Sequence, residues 1–226
     1  MSASVLPNLM LIADGFASGR PNQAAEEVQR KTARLVEAGM VFVQLRDHAA
    51  SGFLFEETAG RLVERLRTIR ESVIITINSR ASTAHELGCG LHIGKRKMVR
   101  ASESFSPSSH SQAGDERTDQ PWPLGYSAHS IEDIQHAVGS GFDYATLSPI
   151  FPTQTHPEMP PIGTQALAEI SLAVAGFGVI ALGGITPERA AACLHDGAYG
   201  VAVLSDLLDA ADPPGRLKSY QEAGAL

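Results

Sequence analysis

The side chains best able to do chemistry fall in short polar segments, each placed directly after an apolar run. They include Asp14, Gln44-Leu45-Arg46-Asp47-His48, Asn78-Ser79-Arg80, His92 to Lys97, Ser127 with His129, and Ser148 to His156. Arginine and lysine among amides and hydroxyls suit a phosphate or pyrophosphate, whose oxygens accept charge-assisted hydrogen bonds. The Asn78–Arg80 and His92–Lys97 segments contain no carboxylate, the ligand that magnesium prefers. His129 offers a proton-transfer group, since an unperturbed histidine titrates at about 6.5.

Two further segments read as an anion seat. Gly183-Gly184 permits close backbone approach, and Leu204-Ser205-Asp206 opens a short helix. Backbone N–H groups at such turns and helix starts hold phosphate. In the proline-rich stretch Leu147–Gly163, Thr153 and Thr155 present two hydroxyls two residues apart on an extended loop.

The elements that must position these groups alternate regularly. Strand-like apolar runs occupy Leu9–Asp14, Val41–Leu45, Val73–Ile77, Leu91–Ile93, Leu124–Ser127, Tyr144–Leu147, Val179–Leu182 and Gly200–Val203. Amphipathic helical patterns occupy Gln23–Ala38, Phe53–Ile69, Ala81–Leu87, Ile131–Val138, Thr164–Val174 and Pro187–Leu194. Ser130 before an acidic first turn, and Thr186 before Pro187, are helix-start signals. Glycine in "EAGM", "ELGCG", "GSGF" and "HDGAYG" stops helices before the next strand. Eight such units predict an α/β chain closed into a (β/α)8 TIM barrel, one domain over 1–226, with its site at the C-terminal strand ends. Ala101–Gln120, rich in Ser, Asp, Glu and Gln, stands where the fourth helix belongs and reads as a mobile loop.

Length and charge narrow the function. The 226 residues suit one barrel, and a net charge of −7 argues against nucleic acid or an anionic membrane as partner. No apolar run reaches the roughly 18 residues of a membrane span, and "MSASVLPNLMLIADG" does not read as a signal peptide. Cys89 and Cys193 lack metal-ligand spacing and read as buried thiols, which fits a cytoplasmic location. His85, His136 and His195 read as helix-surface or packing residues, His110 as idle, and His92 as a packed strand-end residue.

Seven segments, "VQLRD", "IITIN", "GLHIG", "GYSAHS", "SPIFPTQTHP", "GGITPE" and "GVAVLS", resemble in order the signature segments of the thiamin phosphate synthase and TenI family. The resemblance runs from about Val41 to Asp206 and implies a (β/α)8 barrel. It implies that Gly184, Leu204 and Ser205 hold the phosphate of a thiazole phosphate and that Thr153 and Thr155 line the same pocket. It further implies that Gln44, Arg46, Asn78 and Ser127 face an aminopyrimidine pyrophosphate.

The departures from that pattern matter. Synthases of the family carry aspartate where this chain has Ser79 and Lys97, both magnesium ligands there, and lysine where it has His48 and His156. The resemblance therefore points first to the TenI branch, a metal-independent tautomerase of a thiazole carboxylate phosphate with His129 as acid/base and no cofactor. Two alternatives stand beside it: thiamin phosphate synthase, which would use magnesium, and a non-catalytic thiazole- or thiamin-phosphate binder. The partner implied is a small phosphorylated thiazole; barrels of the family also tend to self-associate, so a homo-oligomer is open.

Overall fold

The structure is a computed structural model that describes residues 6–94, 114–115, 120–155 and 157–225. Eight parallel strands close a barrel: β1 (Leu9–Asp14), β2 (Phe42–Arg46), β3 (Ile74–Asn78), β4 (Gly90–Gly94), β5 (Leu124–Ala128), β6 (Tyr144–Leu147), β7 (Gly178–Leu182) and β8 (Gly200–Val203). Each strand pairs with its sequence neighbours, and β1 pairs with β8 to complete the ring. The predicted barrel is therefore the observed fold.

Eight helices accompany the strands among the described residues: α1 (Ala25–Glu37), α2 (Gly52–Ile69), α3 (Ala81–Glu86), α4 (Ile131–Gly139), α5 (Gly163–Ala173), α6 (Pro187–His195), α7 (Ser205–Leu208) and α8 (Pro213–Glu222). The start signals act as read: Ser130 Oγ accepts from Asp133 N at 3.3 Å, and Thr186 Oγ1 accepts from Arg189 N at 3.4 Å. Helix α1 buries Val28, Thr32, Leu35 and Val36, an i, i+4, i+7, i+8 stripe that fits one helical face. It ends where Gly39 takes a left-handed φ of +116°.

Helix α8 was absent from the sequence expectation. Its start, Pro213-Pro214-Gly215, reads as a loop, and it buries only Pro213, Leu217 and Tyr220. Most of Ala101–Gln120 lies outside the described residues, as do Lys95, Arg96, Lys97, His110 and His156. Within that stretch Gly114–Asp115 pairs antiparallel with Gln120–Pro121. Among the described residues no helix is long and apolar enough to cross a membrane.

The strands divide their side chains between two cores. Val43, Leu45, Ile75, Ile77, Leu91, Ile93 and their equivalents pack outward against the helices. Met10, Ile12, Phe42, Tyr144, Ile180 and Ala202 form a second cluster inside the barrel. Because the side-chain period of a strand is two, "FVQLR" sends Phe42, Gln44 and Arg46 inward, and "IITIN" sends Ile74, Thr76 and Asn78 inward. Apolar residues thus fill the barrel below, and buried polar ones, Gln44, Thr76, Asn78, His92 and Thr146, fill it toward the C-terminal mouth.

Candidate active site at the barrel mouth

On the β2–β5 arc, the mouth is lined by Arg46, Asn78 and Ser127, with Gln44 and His92 beneath. Arg46 Nε donates to Asp14 Oδ1 at 2.8 Å. The two Nη groups of Arg46 make no hydrogen bond to any described residue, so they remain available to an anion. Asp14 is thereby held in an ion pair with Arg46.

His92 is packed, as the sequence predicts. It lies buried inside the barrel, with Nδ1 3.0 Å from the Tyr144 hydroxyl and Nε2 2.9 Å from Ser127 Oγ. Burial, and secondarily the charge of Arg46, pushes its pKa down to about 3, so the ring is neutral in any physiological buffer. Its partners lie 52 and 35 residues away in sequence, beyond the reach of a local motif.

Asp47 also differs in role from its neighbours. Its carboxylate turns from the mouth and accepts from Ala17 N, Ser18 N, Ser18 Oγ, Ala49 N and Ala50 N. It is the clamp of the β1–α1 loop. Arg80 is likewise occupied: its Nη2 donates to Ala50 O at 3.0 Å, and its guanidinium stacks 4.3 Å from the Phe55 ring centroid.

Across the mouth, the β6, β7 and β8 ends converge. Gly183 and Gly184 take φ of +100° and +65°, and each is irreplaceable for a second reason. A Cβ on Gly184 would lie 2.6 Å from Pro152 O, and one on Gly183 would lie 2.8 Å from Pro149 Cα. The chain at Ile150 and Phe151 is zipped to this turn through Ile150 N to Leu182 O and Phe151 N to Gly183 O. The Thr153 loop is thereby laid against Gly184. Arg189 Nη1 donates to Gly184 O at 2.6 Å and fixes the turn. Thr153 and Thr155 do not sit on an extended segment as expected: the chain bends there, and Thr155 N donates to Thr153 Oγ1 at 3.3 Å.

Ser205 begins α7, with Leu204 as its cap residue. Two anchors carry no motif in the sequence. Arg20, from the β1–α1 loop, donates from Nη2 to Ser205 Oγ at 3.2 Å and pairs through Nη1 with Asp209 at 2.8 Å, which brings a cation to the expected phosphate seat. From α8, Arg216 Nε and the Tyr220 hydroxyl both donate to Asp206 Oδ2 at 2.7 Å, so the late helix pins α7 in place.

His129 follows β5 and is exposed. Its backbone N–H donates to Asp133 Oδ2 at 3.0 Å, and its Nδ1 lies 2.8 Å from the Ser148 carbonyl oxygen. A carbonyl accepts only, so Nδ1 carries the proton and Nε2 is left as the basic nitrogen. His85, His136 and His195 lie exposed on helices, apart from the mouth.

The thiamine monophosphate synthase (TMP-TENI) family model matches residues 16–207. The chain belongs to that family. An Aquifex aeolicus protein provisionally named as a second thiamine-phosphate synthase is 33% identical over 207 residues, covering 90% of this chain and 99% of its own. The thiamine-phosphate synthase of Chloroflexus aurantiacus is 31% identical over 201 residues, covering 88% and 83%. Among solved structures, thiamine phosphate pyrophosphorylase from Pyrococcus furiosus superposes with a TM-score of 0.72 at 22% identity, covering 96% of this chain and 94% of that one, a likeness of fold. These relatives carry synthase names, which moves weight from the tautomerase to the transferase.

The magnesium implied by the synthase name finds a poor donor set here. At the first aspartate position stands Ser79, with φ of +59° and its N–H donating to His92 O at 2.8 Å. A neutral hydroxyl is a weaker ligand than carboxylate for this hard cation. Asp14 is paired to Arg46, Asp47 is saturated by five donors, and no cluster of three His, Cys, Asp or Glu side chains occurs among the described residues. The second position, Lys97, lies outside the described residues. The described residues do not fit a magnesium site.

Proposed function

We propose that the protein joins an aminopyrimidine carried on a methylene pyrophosphate to a hydroxyethylthiazole phosphate, forming thiamin phosphate and releasing pyrophosphate. The observation that carries this reading is the presence of two separate polar arcs at one mouth. Gln44, Arg46, Asn78 and Ser127 come from β2, β3 and β5; Gly184, Leu204 and Ser205 come from β7 and β8, on the other side of the ring. A proton shift on one thiazole needs a single phosphate anchor and one base. Two arcs suit two substrates.

In this reading the backbone at Gly184 and Ser205, with Arg20 and the Thr153 hydroxyl, seats the thiazole phosphate. Gln44, Asn78 and Ser127 orient the pyrimidine, and the Arg46 Nη groups face its pyrophosphate. The bond from the methylene carbon to the pyrophosphate oxygen breaks, its electron pair leaves with pyrophosphate, and the thiazole nitrogen lone pair forms the new C–N bond. Arginine, in place of a metal, neutralises the departing charge, because cationic donors aimed at developing negative charge lower the barrier. The sequence supplies further cations directly after β4 in Lys95, Arg96 and Lys97.

One observation favours a second reading, the thiazole tautomerase. His129 is held by Ser148 O with Nε2 open for proton transfer. The two readings separate when purified protein receives each substrate set in turn. Thiamin phosphate with stoichiometric pyrophosphate supports coupling; conversion of a thiazole carboxylate phosphate tautomer without coupling supports the other.

A further inference from the structure

Three successive carbonyl oxygens at the end of β7 are each taken by a donor. Leu182 O accepts from Ile150 N at 2.8 Å, Gly183 O from Phe151 N at 3.1 Å and Gly184 O from Arg189 Nη1 at 2.6 Å. The N–H groups of Gly184 and Ile185, by contrast, donate to no described residue. Their peptides are trans, and across a planar trans peptide the C=O and N–H point in opposite directions. The Gly184 N–H therefore points away from Phe151 on the β6 side. Because β7 lies between β6 and β8 in the ring, that direction is toward the Leu204–Ser205 end of β8. The Ile185 N–H points away from Arg189, whose helix α6 packs Pro187, Ala190 and Cys193 onto the outer wall, and so it turns in toward the mouth. Neighbouring N–H groups turned to one side make an anion-binding concavity.

Arg189 stands where a cation is not expected. Thr186 caps α6 and Pro187 is its first residue, so Arg189 is the third, in a first turn where the helix dipole favours acids. Glutamate or glutamine at that position closes a capping box. Arg189 instead reaches back past the cap to Gly184 O, its guanidinium lying 4.7 Å from the Phe151 ring centroid. Phe151 thus acts twice: its backbone holds the Gly183 carbonyl, and its ring carries the arginine that holds the next one.

We propose that Arg189 is a positioning residue for phosphate binding: by holding the Gly184 carbonyl outward, it sets the Ile185 N–H beside that of Gly184 as a donor to the phosphate. The proposal rests on the assignment of a thiazole phosphate to the Gly184–Ser205 arc. It adds one donor to that arc and the side chain that aims it. Arg189 acts through the peptide, while direct charge at the seat comes from Arg20, 3.2 Å from Ser205 Oγ. Without the guanidinium, a peptide that follows two glycines rotates readily and would present a carbonyl oxygen to the anion.

Amide NMR of the whole protein, titrated with inorganic phosphate, reads the donors directly. The Gly184 and Ile185 amide protons are expected to move downfield together, and the Ile185 response is lost in Arg189→Met. No response at Ile185, or an unaltered one in Arg189→Met, overturns the proposal. Calorimetry with hydroxyethylthiazole phosphate and with the unphosphorylated alcohol gives a second readout. Arg189→Met keeps a stem over Phe151 but no donor, and should weaken the phosphate ester about tenfold, the size of one hydrogen bond, with the alcohol unchanged. Arg189→Lys retains a donor and should stay within about threefold. Equal loss in both variants, or a loss shared by the alcohol, overturns the proposal. So does a difference that vanishes in about 1 M salt, where charges are screened within about 3 Å, because it would mark a charge effect at a distance. If neither thiazole binds while the phosphate response and its dependence on Arg189 persist, the positioning role stands and the thiazole assignment alone fails.

Discussion

Replacing Asp47 by Asn isolates the clamp that holds the β1–α1 loop, and with it Arg20 against Ser205. In the protein, Oδ1 accepts from Ser18 Oγ at 2.7 Å, Ala50 N at 2.9 Å and Ala49 N at 3.1 Å, while Oδ2 accepts from Ser18 N at 2.8 Å and Ala17 N at 3.0 Å. An amide of the same shape keeps one acceptor and turns an NH2 toward donors at the other position. With the oxygen kept at the Oδ1 place, Ala17 N and Ser18 N lose their partner. A buried orphaned N–H costs about 1–3 kcal/mol. Ala17 is buried and Ser18 exposed, so the sum is about 3 kcal/mol. For a chain of this size each 1 kcal/mol moves the midpoint by roughly 2–4 °C, which gives a fall of about 6–12 °C at pH 7. Burial raises the Asp47 pKa, but the hydrogen bonds from Ser18, Ala50 and Ala17 outweigh it and hold the carboxyl below its ordinary value. A folded-state pKa below the unfolded one gives stability that is present above the unfolded value of 3.8 and disappears as pH falls through the folded value. The gap between the two proteins should therefore be full at neutral pH and close in acid. Thermal unfolding followed by circular dichroism across that range is the assay. A variant melting within 2 °C of the unsubstituted protein at pH 7, or a gap that widens in acid, would refute the clamp.

Three further outcomes follow from the site. Arg46→Ala should raise KM for the pyrimidine pyrophosphate by about two orders of magnitude, the loss of two charge-assisted bonds, with KM for the thiazole phosphate little changed in steady-state kinetics. Gly184→Ala should do the converse, raising the thiazole phosphate KM at least tenfold, because its Cβ would press on Pro152 O at 2.6 Å and its φ of +65° disfavours a side chain. Coupling should depend only weakly on magnesium, with less than about a tenfold loss in chelator, since Ser79 supplies no carboxylate; an absolute requirement for the ion would show that the donor set was misjudged.

The barrel was legible because its signals are local. "FVQLR" and "IITIN" each end an apolar run in polar residues, which marked Gln44, Arg46 and Asn78 as strand-end groups, while the parity that turns them inward shows only in the barrel. Caps at Ser130 and Thr186 marked helix starts for the same reason. What stayed hidden is non-local. His92 is an ordinary strand residue until Tyr144 and Ser127 arrive from two other strands, and Asp47 resembles a mouth acid until the β1–α1 loop closes on it. Arg20 carries no motif and gains meaning only where β8 ends beside β1. Helix α8 was concealed by its own chemistry, since Pro213-Pro214-Gly215 announces a turn and three buried side chains make a faint stripe.

The most direct measurement is a single incubation of purified protein with the pyrimidine pyrophosphate and the thiazole phosphate, read by chromatography for thiamin phosphate and by a phosphate assay for released pyrophosphate. Equal amounts of both products, absent when either substrate is withheld, are the predicted result. No coupling, with rapid tautomer conversion of a thiazole carboxylate phosphate that His129→Ala abolishes, would contradict it.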